Sequence, residues 1–156
     1  MPTLCTSEYV TYTAAPPERL WAALVDNALR KQWWRGHYVE STWQPGAELT
    51  GYFPDGSVEF RGTVRVAEPP RKLVYEGHAV WNEDFAGDLN RLSFEIDAHP
   101  SVSKLTLRYE ASERLVAMAE PGWPAVFSSL KSLLETGRPL NLVEVFGPER
   151  NPAQDR

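Results

Sequence analysis

Residues 122–137, GWPAVFSSLKSLLETG, constrain this chain more than any other stretch. Val126, Phe127, Leu130, Leu133 and Leu134 recur at the spacing of an apolar stripe on a helix that is covered on one side only. Pro124 falls where the first turn of a helix tolerates a missing N–H, and Gly137 falls where a helix ends in the left-handed conformation. Such a stripe must be buried against something, and nearly everything before it reads as strand. A single long helix after a run of strands predicts a sheet wrapped around that helix. A fold of this kind can enclose a cavity, and the cavity is where function is expected.

The strands follow from two-residue alternation. Residues 6–14 form the first. APPERLWAALVD then predicts a short helix from Pro17 with Leu20, Trp21 and Leu24 on one side, and ALRKQWW a second one, capped by Asp26 or Asn27 and broken at Gly36. Gln44-Pro45-Gly46 and Pro54-Asp55-Gly56 are turns between strands. In SVEFRGTVRVA, Val58, Phe60, Gly62, Val64 and Val66 are expected on one face, with Glu59, Arg61, Thr63 and Arg65 on the other. Leu73, Tyr75, Gly77, Ala79 and Trp81 share a face of the next segment; Leu92, Phe94 and Ile96, then Leu105, Leu107 and Tyr109, continue the pattern. One apolar and one polar face per strand suits an antiparallel sheet wet on one side. Residues 112–119 fit one or two helical turns. The predicted class is α+β: a curved antiparallel sheet of six to seven strands around a C-terminal helix, with two short helices after the first strand. A single domain is expected over residues 1–140 and an extension over 141–156, its last residues, PERNPAQDR, disordered.

Composition excludes several functions. The net charge of −5 lacks the basic surface that nucleic-acid binding needs. With one cysteine, Cys5, no disulfide forms within the chain. No apolar run approaches a membrane span, and MPTLCTSEYV has neither the basic nor the apolar region of a signal peptide, so a cytoplasmic location is expected. Six tryptophans are unusual, and tryptophan both fills cores and lines pockets.

The ordered series YTAAPPERLWAALVD (12–26), QWW (32–34), STWQPG (41–46), DGSVEFRGTVRVAEPPRKLVYEG (55–77) and GWPAVFSSLKSLLETG (122–137) resembles the START-like, helix-grip superfamily, also called SRPBCC or Bet v 1-like. Within it the chain is similar to bacterial proteins related to the C-terminal domain of the activator of Hsp90 ATPase, over roughly residues 8–138. The resemblance implies a container for apolar molecules; some members of the superfamily are cyclases or hydrolases. In the eukaryotic activator a separate N-terminal domain makes major chaperone contacts, so the resemblance gives little ground for direct Hsp90 contact. Relatives often carry a tryptophan near Gly77; here the glycine either widens the cavity or leaves space that Trp81 fills.

Chemistry-bearing motifs are scarce. His37, His78 and His99 are widely spaced, without the convergent spacing of a zinc site, and neither a metal nor another cofactor is expected. Cys5 lies at the terminus, and Ser128 and Ser129 lie on the long helix without a nucleophile elbow. Glu76 and His78 share one face of a strand, but alternation turns both outward if Leu73 and Tyr75 face inward. No catalytic residue is assigned. The expected ligand-binding residues are Phe60, Tyr75, Trp81, Phe94 and Tyr109 from strands, Phe127 and Leu130 from the helix, and Trp33, Trp34 and Trp43 at the cavity mouth. The two tyrosines can orient a ligand with their hydroxyls. Leu142, Val143, Val145 and Phe146 are too apolar for a free tail, and either pack back or cover a partner subunit. The leading expectation is non-catalytic binding of a small apolar or aromatic molecule. The alternatives are a protein-interaction module, chaperone-related or homodimerising, and an enzyme of the cyclase or hydrolase kind.

Overall fold

A computed structural model describes residues 3–148. Strand β1 (Cys5–Thr13) leads into helices α1 (Pro17–Val25) and α2 (Asn27–Trp33). Six strands follow: β2 (Tyr38–Glu40), β3 (Glu48–Tyr52), β4 (Val58–Glu68), β5 (Lys72–Ala79), β6 (Leu89–Ala98) and β7 (Ser103–Ala111). Helices α3 (Glu113–Ala119), α4 (Gly122–Thr136) and the single turn α5 (Val143–Phe146) complete the described residues. The strands form one antiparallel sheet in the order β1-β7-β6-β5-β4-β3-β2. The sheet curves around α4, which is the helix-grip architecture that the alternation and the long stripe predict. The expected disordered tail lies outside the described residues apart from Pro148.

Helix α4 buries Val126, Phe127, Leu130, Leu133 and Leu134, and its stripe starts a turn earlier than the sequence suggested, at Trp123. Pro124 is accordingly the third helical residue rather than the first, still within the turn whose N–H groups need no intrahelical partner. Gly137 ends the helix at φ +82°, its N–H bonded to the Leu133 carbonyl. From the sheet, Leu73, Tyr75, Phe94, Leu105 and Leu107 belong to the same core cluster as this stripe, each almost wholly removed from water. Each such side chain contributes about 1.5–3 kcal/mol on burial. Asp26 both ends α1 and caps α2, its carboxylate accepting the Ala28 N–H at 2.9 Å.

Two irregularities in β4 break the clean alternation expected there. Gly51 pairs with Phe60 and Tyr52 with Val58, so Glu59 is an extra residue bulged out of the ladder. Further along, Val64 pairs with Tyr75 and Val66 with Val74, which makes Arg65 the second extra residue. After it Ala67 takes the core-facing position opposite Leu73, and Val66 leaves the face it was expected to share with Val64. Between the bulges Gly62 lies opposite Gly77. A Cβ on Gly77 would run into the Arg61 carbonyl and the Gly62 Cα, and one on Gly62 into the Glu76 carbonyl. The glycines thus serve close approach of two backbones. The space over Gly62 belongs to the Phe60 ring, whose Cε1 would lie 2.9 Å from an added Cβ.

Candidate functional site

Between the concave face, α2, α3 and the start of α4 lies an inner chamber of about 260 Å³. It opens into an outer cleft of about 960 Å³. Trp34, His37, Glu59, Trp81, Met118 and Trp123 belong to the walls of both, so the two form one continuous space.

Of the residues expected to bind a ligand, five line the chamber: Trp34, Phe60, Tyr75, Trp81 and Tyr109. Trp34 ends α2, Trp81 follows β5, and the other three point from β4, β5 and β7. The structure places the remaining five elsewhere. Trp33 is fully buried, its indole N–H donating to the Ala23 carbonyl at 2.9 Å, and ties α2 to α1. Phe94, Phe127 and Leu130 belong to the packed core beneath α4. Trp43 packs edge-on to Tyr75 at 6.1 Å and is absent from the chamber wall.

Further wall residues lie outside the set expected from the sequence, and four of them shape the chamber's chemistry. Trp123 is the aromatic hub, within 4.8–6.4 Å of the rings of Trp34, Phe127, Tyr9 and Phe94. Its place at i−3 and i−4 from Val126 and Phe127 was the available signal. Glu59 reaches the chamber because of the bulge, and its Oε1 lies 3.0 Å from Nδ1 of the buried His37. Asn90, on the inward face of β6, accepts a hydrogen bond from the Tyr109 hydroxyl. Arg30 is 2% exposed. Its guanidinium donates to the Leu24 carbonyl at 2.6 Å and to the Tyr75 hydroxyl at 3.1 Å, and lies 4.3 Å from the centre of the Trp34 ring.

Burial pushes the Tyr109 phenol far above the ordinary tyrosine range, with the nearby Tyr9 and Tyr75 hydroxyls adding to the effect. A phenol so reluctant to ionise donates a hydrogen bond and keeps its proton. The loop between β5 and β6 is tied to α3. Arg114 and Ser112 both bond Asp88, holding its carboxyl below the usual range, and Arg114 also donates to the Asp84 carbonyl. Glu76 and His78 lie on the outer face. Burial raises the Glu76 carboxyl, but hydrogen bonds from Arg65 and Arg91 outweigh it and leave the group below its usual range. His78 contacts the Asp88 carbonyl oxygen at 3.1 Å. Among the described residues no three His, Cys, Asp or Glu side chains converge as a metal site would require. No helix among them is long and apolar enough to cross a membrane.

The family model described as activator of Hsp90 ATPase homolog 1-like protein matches residues 14–135. The chain belongs to that family. The matched stretch runs from the end of β1 almost to the end of α4, so family membership covers every chamber wall described above. Solved structures share the fold at low identity. Protein MLL2253 from Mesorhizobium loti is 24% identical, with a TM-score of 0.70 over 83% of this chain and 96% of its own. The Aha1 dimer from Colwellia psychrerythraea is 19% identical, with a TM-score of 0.65 over 85% and 98%. CalU16 from Micromonospora echinospora is 16% identical, with a TM-score of 0.68 over 94% and 90%. No curated protein matches the chain. Fold and family together support a general ligand-binding cavity of the kind found in the helix-grip superfamily.

Proposed function

We propose that this family member binds a small apolar or aromatic molecule in the inner chamber and does not transform it. The observation that carries this reading is the wall itself. The rings of Trp34, Phe60, Tyr75, Trp81, Tyr109 and Trp123 surround a space of about 260 Å³ in which polar groups are few and fixed. Sites for small molecules are concave, mostly apolar and furnished with a small number of placed polar groups. The chamber is just below the usual size of such sites, roughly 300–1,000 Å³. A flat one- or two-ring compound or a short acyl chain suits it better than a sterol. The outer cleft gives such a molecule a way in. Native mass spectrometry of protein purified under mild conditions, with a thermal-shift screen of aromatic compounds, short fatty acids and sterols, tests the reading. A co-purifying small molecule, or a saturating shift with the smaller compounds, is the expected result. A clean apo mass with no shift from any compound overturns it.

A second reading rests on the segment after α4. Leu142 packs into the core, but Leu140, Val143 and Val145 are 45–66% exposed. Association of two copies through this turn would cover them, and the Colwellia relative is itself a dimer. Size-exclusion chromatography with light scattering decides this: a monomer at high micromolar concentration removes homodimerisation.

A further inference from the structure

The buried guanidinium of Arg30 is a feature of the chamber that an apolar container does not need. Burying a cation is unfavourable unless it is paired. No carboxylate among the described residues forms an ion pair with it; its hydrogen-bond partners are a carbonyl and a phenol. An arginine carries five N–H donors in a planar fork, and these partners occupy only part of it. The one carboxylate on the chamber wall, Glu59, is engaged with His37 at 3.0 Å. The Trp34 ring lies under the guanidinium carbon, its centre 4.3 Å from it, in cation–π contact. Tyr75, already bonded to Arg30, lines the chamber beside it.

We propose that Arg30 is an anion subsite, and that the chamber takes an apolar or aromatic monoacid whose carboxylate pairs with this guanidinium while its body lies among the rings. The proposal rests on the container reading and deepens it by naming the ligand's charged end. A carboxylate supplies what the site lacks: a planar, bidentate acceptor for a planar donor fork in a place of low polarity. A phosphate monoester shares the charge, but its bulk and second charge suit a chamber of about 260 Å³ with a single cation less well. Orientation follows. The carboxylate end is innermost, toward α2 and β5, and the apolar end points past Trp81 to the outer cleft.

The test compares naphthylacetate with its alcohol, naphthylethanol, which has the same ring and no charge. Isothermal titration calorimetry on the full-length protein should give binding of the acid tighter by about tenfold or more, the scale of one well-placed charge-assisted contact in a covered site. In Arg30→Met the preference should vanish while the alcohol still binds. Because Arg30 also holds the Leu24 carbonyl, Arg30→Met can fail to fold. The wild-type protein therefore supplies an independent readout: the Arg30 Nε–Hε resonance should move on adding the acid and stay in place on adding the alcohol. Equal affinity for acid and alcohol in the wild type, or an Arg30 resonance indifferent to the acid, overturns the subsite and leaves the container standing. Binding of neither compound overturns both.

Discussion

The hydroxyl of Tyr109 donates to the side-chain oxygen of Asn90, a diagonal contact between β7 and β6 on the concave face where both residues are more than nine-tenths buried. Tyr109→Phe removes the donor and leaves the Asn90 oxygen short of a partner, which should cost about 1–3 kcal/mol in urea unfolding at neutral pH. The same variant should respond differently to alkali. The folded protein holds the Tyr109 proton far above the value at which an unfolded tyrosine releases it, about 10. As pH rises past that point the unfolded chain binds fewer protons than the folded one, so stability falls with pH. Wild type should therefore lose stability from about pH 10 upward faster than Tyr109→Phe. Parallel curves for the two proteins would show that this phenol is not held protonated by the fold.

On the outer face the sign reverses. Glu76 lies between Arg65 at 2.7 Å and Arg91 at 2.8 Å, and its carboxyl is held below the usual range. Its contribution is present at neutral pH and is lost as acid protonates it. In Glu76→Gln the loss of stability between about pH 5 and pH 3 should be shallower than in wild type. At neutral pH the substitution should cost no more than about 1 kcal/mol, because both arginines remain in water. Acid titrations followed by circular dichroism check both statements.

Gly77→Ala tests the close approach of β4 and β5. The added methyl meets backbone atoms, the Arg61 carbonyl and the Gly62 Cα, which cannot swing aside as the end of a side chain can. A loss of at least about 1–3 kcal/mol is expected, the range of overpacking in a dense interior. Gly87→Ala, with nothing within 4 Å of the added carbon, is the control and should be close to neutral. If the two variants melt together, the strands have room that the structure denies them.

What the sequence made legible was periodicity. The stripe on α4, the alternation of β5, β6 and β7, and the turns at Gly46 and Gly56 each follow from one local rule, and the fold follows from their order. On the wall, Phe60, Tyr75 and Tyr109 are legible from strand alternation, whereas Trp34 and Trp81 sit just past the ends of α2 and β5 and are suggested only by their residue type. Alternation alone puts Glu59 on the polar face, because a bulge leaves no mark in a single sequence; its extra residue is defined by the partner strand. Trp33 and Trp34 are chemically identical neighbours about 100° apart on a helix, and only the packing of α2 on α1 sends one to the core and the other to the chamber. Arg30 stands three and four residues before these tryptophans, on their side of α2. That spacing was readable, yet an arginine beside Lys31 reads as surface until the burial is known.

The division between chamber and core gives the last prediction. Phe60 and Phe94 were both expected on the wall, but Phe60 lines the chamber and Phe94 lies beneath it, 1% exposed, against Tyr75 and Trp123. Phe94→Leu should cost about 1–2 kcal/mol, because a dense core cannot refill the lost volume. Affinity for naphthylethanol should change little in the molecules that remain folded. Phe60→Leu should do the reverse: a stability loss within about 1 kcal/mol, since one side of the ring already faces open space, and a several-fold change in affinity for the same alcohol. Measuring melting and binding on both variants separates wall from core. If Phe94→Leu alters binding more than Phe60→Leu does, the ligand lies deeper, between sheet and α4, and the chamber described above is not its seat.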